Sequence, residues 1–303
     1  AGISVLSLLL GTAITVILSG NIVRPVNALS TAMQRVANGD YDVKLETKSN
    51  FEIIRRVYSD FNHMVDELNA VETLRNDFVS NVSHEFKTPL SSIEGYAMLL
   101  QDESLSAEAR SEYTERIVVS TRRLSTLVSN ILMITKIENQ TMPFTLSSYR
   151  VDEQVRQSIL LLENKWSEKN IGFEMDMDSI EFCAVEGLLG NVWSNLIDNA
   201  IKFSPEGEII YISLKEKDDM LSFKIANRGE PMSGETLKRI FEKFYQGDTS
   251  HKREGNGLGL ALVKKIVRVH GGSVSAVNTE DGLIEFTVNL PAKRSCERCC
   301  GSN

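Results

Sequence analysis

His84 is followed at once by Glu85, and Thr88 stands four residues on, just before Pro89 and Leu90. An imidazole becomes a nucleophile when a carboxylate accepts the proton of its second nitrogen, and Glu85 is the adjacent candidate. If the segment is helical, Thr88 shares the face of His84 and its hydroxyl could align a water there. Pro89 removes the amide that would bond the carbonyl of Glu85, so a kink is expected one turn past His84. A second group follows a hundred residues later. Asn195 and Asn199 are one helical turn apart on one face, and Lys202 lies three residues beyond Asn199. Amide oxygens suit Mg²⁺, a hard cation that keeps several waters, and a lysine adds positive charge for phosphate oxygens.

The third feature is the run Gly255-Asn256-Gly257-Leu258-Gly259, which opens an apolar helical stretch. Glycines at this spacing let backbone amides approach phosphate at the positive end of a helix. A Rossmann fingerprint would begin its domain inside a βαβ unit, whereas this run lies late in the chain. Between the second and third groups, Ala226-Asn227-Arg228-Gly229-Glu230-Pro231-Met232 follows a strand-like run and by itself reads as a turn. The tail Ser295-Cys296-Glu297-Arg298-Cys299-Cys300 has no fourth zinc ligand near it in sequence, so residues 292–303 are expected to be reduced and disordered.

The elements that must position these groups are constrained by composition. A chain of 303 residues, 42% apolar and 24% charged, holds about two domains and is neither disordered nor a multi-span membrane protein. A net charge of −8 argues against nucleic-acid binding through phosphate contacts. Four cysteines exclude a disulfide scaffold. From Ala1 to Val23 there is no ionisable side chain. As a helix that run is roughly 34 Å long, enough to cross a hydrocarbon layer. Arg24, Arg35 and Lys44 follow, so the positive-inside rule puts everything from about residue 24 onward in the cytoplasm. The chain opens on Ala1 within the apolar run, which reads as a fragment lacking an upstream segment.

Pro25 suits a helix start, and a helix is expected from about Val26 to Ala37, stopped by Asn38-Gly39. Tyr41 to Leu45 alternates as an extended connector. Phe51, Ile54, Tyr58, Phe61, Val65 and Leu68 then form a heptad seam that needs a partner helix, with a phase skip at Val71, Leu74 and Phe78. The helix continues to about Gln101, and a second runs from about Ala107 to Glu138. Two long amphipathic helices joined by a short turn cannot bury their stripes alone, so a four-helix dimer is the expected solution. Beyond Phe144, strand-like runs at Gly172–Met177, Ile209–Leu214, Leu221–Ala226, Ser273–Asn278 and Ile284–Leu290 alternate with helical stretches at Val151–Glu168, Val185–Phe203 and Leu258–Val269. That pattern predicts an α+β sandwich with helices on one face of a mixed sheet.

These segments carry a resemblance. Helix, connector and helix after an apolar span resemble the HAMP signalling module, with Glu52 at the acidic start of the second helix and Ile54 where a glycine is usual. Phe78 to Leu90 closely resembles the phospho-acceptor box of sensor histidine kinases. Asn191 to Pro205 resembles the N box of the GHKL ATP-binding fold, which histidine kinases share with gyrase and MutL. Ala226 to Met232 falls where that fold reads Asp-x-Gly-x-Gly, and this chain has Asn227 for the aspartate and Pro231 for the second glycine. Phe241 and Phe244 resemble the F box, and the glycine run the G2 box, with Gln246 to Glu254 between them as a lid. Relatives often carry arginines near the lid's start, where this chain has Gln246 and His251, with Lys252 and Arg253 nearby.

The resemblance implies a multi-domain chain: a transmembrane helix over 1–23, a HAMP linker over 24–75, a dimerising phospho-acceptor hairpin over 76–140 and an ATP-binding GHKL domain over 144–291. It implies that His84 is phosphorylated from ATP with Glu85 as base, and that the phosphoryl group passes to an aspartate of a response regulator. Thr88 would serve the reverse, phosphatase reaction. Asn199 would bind Mg²⁺, and Asn195, Lys202, Asn227, Gly229, Gly255, Gly257 and Gly259 would line the nucleotide site. Asn195 stands where the ATP-hydrolysing relatives carry a glutamate, which favours transfer to a protein nucleophile over simple hydrolysis. The alternatives are a degenerate kinase acting as a conformational sensor or phosphatase only, and a GHKL ATPase. With an amide in place of the carboxylate, Asn227 could also rotate to offer its NH₂ to a guanine oxygen, so weak discrimination between ATP and GTP is expected.

Overall fold

The computed structural model describes residues 2–46, 51–139, 145–247 and 255–292. By contact density the chain divides at Ser83 into an N-terminal and a C-terminal unit. The first unit begins with helix α1 (Gly2–Leu18), a single π-helical stretch (Ser19–Val23) and α2 (Arg24–Ala37). Pro25 stands just after the π-helical stretch on a helical path unbroken from α1, so the helix start expected near Val26 is not a true start. Helix α3 (Glu52–Leu99) is continuous and passes through Pro89 without ending.

A small apolar core forms where the heptad seam meets α2 and the connector. Ala32, Val36, Val43, Phe61 and Val65 are buried together. Asn62 fixes the connector by accepting from the amide of Leu45 at 2.9 Å and donating to its carbonyl at 2.8 Å. Tyr58 Oη donates to the carbonyl of Pro25 at 3.0 Å. The ends of the seam stay open: Phe51 is 46% exposed and Leu68 40%.

Helix α1 is bare, with Ile3 88% and Leu8 71% exposed, and a run of apolar side chains without charge fits a transmembrane helix. Among the described residues the helix that passes a length-and-hydropathy test for a span is instead α4 (Ala107–Glu138). That helix carries Arg122 and Arg123 at its middle and buries Leu127, Ile134 and Ile137 in the core of the second unit. Composition alone misleads there, and α1 is the helix whose exposed, uncharged surface fits a span.

In the second unit, the C-terminal part of α3 and α4 form an antiparallel hairpin. Ser106 caps α4 by accepting from the amide of Ala109 at 3.1 Å. Then come β1 (Ser147–Arg150), α5 (Val151–Leu160), α6 (Glu163–Glu168), β2 (Gly172–Met177), β3 (Glu181–Ala184), α7 (Glu186–Phe203), β4 (Ile209–Lys217), β5 (Met220–Arg228), α8 (Gly234–Arg239), α9 (Gly259–Val269), β6 (Ser273–Asn278) and β7 (Leu283–Pro291). The five-stranded sheet has the order β2-β4-β5-β7-β6. Only the β2–β4 pair is parallel; the other pairs are antiparallel. Its inner face meets α7 and α9 through Trp193, Leu196, Ile212, Phe223, Leu262 and Val288, and the rings of Trp193 and Phe223 are 4.7 Å apart.

Two expectations needed correction. The stretch Val151–Glu168 is two helices, because the chain turns at Leu161–Leu162 to bring the Trp166 Nε1 donor onto the carbonyl of Ile159 at 3.0 Å. A second, two-stranded sheet pairs β1 with β3 in register Ser147↔Ala184 to Arg150↔Glu181. Four-residue strands leave too short a period to be read from sequence.

Candidate functional site

Helix α3 presents His84 and Thr88 to solvent, while Glu85 and Phe86 are half-buried against α4 and Pro89 is buried. Adjacent helical residues point about 100° apart, so Glu85 faces α4 and not the imidazole. There its carboxylate Oε2 lies 3.5 Å from Arg123 Nη2. Thr88 Oγ1 donates to the carbonyl of His84 at a long 3.4 Å. A bond this weak is readily exchanged for one to water.

The nucleotide-type residues converge on α7. Asn191 and Asn195 donate their amide NH₂ groups back to the carbonyls of Gly187 and Asn191, both at 2.7 Å. That leaves the oxygen of Asn195 turned outward, toward the glycine run. A Cβ on Gly259 would sit 2.6 Å from Asn195 Oδ1, and one on Gly255 would sit 2.8 Å from Lys202 Nζ. The glycine run thus lies against the asparagine face as a cradle that side chains would fill. Gly257 has φ +64, and a Cβ there would fall 2.7 Å from Phe244 Cα, while the Phe244 amide donates to the Gly257 carbonyl at 2.9 Å. Only glycine satisfies both demands. Asn199 is half-buried on the same face as Asn195.

Asn227 is the penultimate residue of β5 and is 2% exposed. Its Nδ2 donates to the carbonyl of Arg228 at 3.0 Å. One of the two NH₂ hydrogens is therefore engaged, and the oxygen is an acceptor able to meet a ligand. Turning the NH₂ to a guanine oxygen, as the sequence allows, would have to compete with this bond to the backbone. Gly229 lies beside it: a Cβ would sit 3.5 Å from Asn227 Nδ2 and 3.6 Å from the carbonyl oxygen of Phe203, which ends α7.

Sequence reasoning missed several supporting side chains. Arg123 engages Glu85. Asn278, at the end of β6, accepts from the amide of Met232 at 3.1 Å and donates to its carbonyl at 2.7 Å, which fastens the loop after Asn227. Gln246 Nε2 donates to the carbonyl of Gly255 at 3.0 Å. Arg123 and Asn278 carry no spacing signal, because each acts across a long sequence separation; for Gln246, which the sequence places at the lid's start, it is the contact and not the residue that was missed. The lid residues His251, Lys252 and Arg253 and the tail cysteines Cys296, Cys299 and Cys300 lie outside the described residues. Cys183 on β3 is disulfide-bonded.

Comparison with known proteins finds three family domains in order along the chain. The HAMP domain family matches residues 17–70, the His Kinase A (phospho-acceptor) domain 74–140, and the Histidine kinase-, DNA gyrase B-, and HSP90-like ATPase family 184–294. The heme sensor protein HssS of Staphylococcus aureus (strain JH9) is 33% identical over 288 residues, which cover 94% of this chain. The chain spans 62% of that relative's length. Among solved structures, full-length ShkA in complex with AMPPNP is 27% identical with a TM-score of 0.55, over 72% of this chain and 46% of that one. Histidine kinase ThkA in complex with the response regulator TrrA is 23% identical with a TM-score of 0.59, over 74% of this chain and 64% of that one, and shows the shared fold. A HAMP domain, a His Kinase A phospho-acceptor domain and a histidine kinase-type ATPase domain thus follow one another along this chain, the domain set of a sensor histidine kinase.

Proposed function

We propose that this chain is the membrane-anchored, cytoplasmic kinase portion of a two-component sensor, and that it transfers the γ-phosphoryl group of ATP to His84. The observation that carries this reading is the cradle: Asn195 and Lys202 of α7 lie against Gly259 and Gly255, on a chain whose phospho-acceptor helix exposes an imidazole. ATP is the expected nucleotide because the buried Asn227 leaves an oxygen acceptor for the adenine amino group, and ShkA, similar over 72% of this chain, has been solved with AMPPNP. Lys202 supplies charge to phosphate oxygens. Asn199, with the asparagine face beside it, would hold Mg²⁺, which when bound neutralises charge on the phosphates.

In the reaction a nitrogen of the His84 ring attacks the γ-phosphorus, the bond to the ADP oxygen breaks, and ADP leaves. The proton on the other ring nitrogen passes to the Glu85 carboxylate, which must first leave Arg123. Positioning and charge neutralisation supply most of the rate, because phosphoryl transfer asks little covalent chemistry of the protein. The phosphoryl group then moves to an aspartate of a response-regulator receiver domain, and Thr88 orients water for the reverse, phosphatase reaction. The domains are proposed as 1–23 membrane helix, 24–75 HAMP, 76–140 hairpin and homodimer interface, 144–291 ATPase domain, with residues from about 24 cytoplasmic.

Incubation of the chain with ATP labelled at the γ-phosphate tests this. A label on protein that survives base and is lost in acid is a phosphoramidate and supports the kinase. Steady release of phosphate with no protein label would instead make the chain a GHKL ATPase, and binding with neither product would make it a conformational sensor.

A further inference from the structure

Lys169 lies in the turn between α6 and β2, outside every motif discussed above. Its ammonium donates to three backbone carbonyls: Ile201 at 2.9 Å, Lys202 at 2.9 Å and Ser204 at 3.1 Å. An ammonium has three N–H bonds, and all three are spent. The acceptors belong to the end of α7, where the last carbonyls of a helix have no intrahelical partner and the helix dipole is negative. The same residue is tied a second time, since the Gly207 amide donates to the Lys169 carbonyl at 2.9 Å. Pro205 follows immediately and cannot extend the helix, so the turn relies on partners from elsewhere.

That last turn is where α7 meets the nucleotide segments. Lys202 Nζ reaches the Gly255 backbone, and the carbonyl of Phe203 lies beside Gly229. A shift of the turn moves the charge on Lys202 relative to the glycine cradle and alters the floor under Gly229. We propose that Lys169 is a positioning residue for nucleotide binding: it holds the C-terminal turn of α7 so that Lys202 faces the glycine run, and it does not itself contact phosphate. The inference rests on the reading of this site as an ATP site.

The test is a double-mutant cycle on the full chain in detergent, titrated with a fluorescent ATP analogue, with thermal unfolding followed in parallel. Lys169→Met should weaken binding about tenfold, because it leaves three half-buried carbonyls without donors and frees the turn. Lys202→Met should weaken binding by a similar factor. If Lys169 acts through Lys202, the double variant binds no more than about twofold worse than Lys202→Met alone. Multiplying losses in the double variant, or wild-type affinity in Lys169→Met, would overturn the proposal while leaving the ATP site intact. No binding of the analogue to the wild-type chain would overturn the ATP reading itself. Should Lys169→Met fail to fold, Lys169→Gln, which keeps two donors, carries the same cycle with the same criteria.

Discussion

At residue scale the account turns on how single polar atoms are committed. Asn227 is the sharpest case. With its Nδ2 on the carbonyl of Arg228 and only 2% of the residue exposed, a carboxylate at this place would set an oxygen against that carbonyl. Asn227→Asp should therefore lower the melting temperature, by an amount corresponding to about 1–3 kcal/mol, instead of improving the site. A raised melting temperature would show that the side chain is free to turn. The same geometry predicts that ATP displaces a bound ATP analogue at least about tenfold better than GTP, since the oxygen of Asn227 accepts from an amino group and repels the guanine oxygen. Equal competition by the two nucleotides would contradict it. The identity of Asn227 was legible in the sequence, but the direction of its amide was not, because the partner is a backbone atom whose position only the fold decides.

At the scale of elements, the long periodic helices were readable and the short pieces were not. The helix Ala107–Glu138 and the strands Gly172–Met177 and Ser273–Asn278 have the bounds their patterns suggest. The β1–β3 pair and the break between α5 and α6 are set by tertiary contacts. Asp152 shows what such contacts contribute. Its carboxylate, 1% exposed, accepts from Arg150 at 2.6 and 2.8 Å and from the amide of Ile180 at 3.2 Å. The hydrogen bonds from Arg150, ahead of the one from Ile180, hold its pKa down to about 2 against an ordinary value of 3.8. A carboxyl whose pKa is depressed by folding stabilises the fold above its unfolded pKa, and that stabilisation is lost as the pH falls toward the folded value. The loss here falls between about pH 4 and pH 2 and amounts to roughly 2 kcal/mol. Trp166 and Trp193, the two tryptophans of the chain, both lie in this domain and report its unfolding by fluorescence. Asp152→Asn should be less stable at pH 7 and should lose the part of the acid dependence that lies in this window. Parallel acid curves for the variant and the wild type would count against the assignment.

At the scale of the whole molecule, the order of motifs along the chain conveys more than any one of them. The phospho-acceptor helix, the asparagine helix and the glycine run are separated by more than fifty residues each in sequence, yet the last two share one cradle. The hairpin leaves Leu90, Met98, Leu99, Val118, Val119 and Leu132 exposed in a single chain. Burying such a stripe requires a second copy, so a chain freed of α1 should run as a dimer in light scattering, and Leu132→Asp should shift it toward monomer. A monomeric wild type would remove the four-helix bundle from the account. The hairpin and the ATPase domain also share one apolar core through Leu127, Ile134 and Ile137, and Lys243 donates to Glu138 at 2.9 Å across the junction.

The central claim is that His84 is the phosphoryl acceptor and the α7 cradle the nucleotide site, two functions carried by separate elements. The most direct measurement compares His84→Gln with the wild type in one preparation, reading acid-labile phosphoryl label and binding of an ATP analogue together. The account predicts that the label vanishes while the affinity for the analogue stays within about twofold of wild type, because the imidazole contributes nothing to the cradle. Acid-labile label retained by His84→Gln at the wild-type level would contradict it.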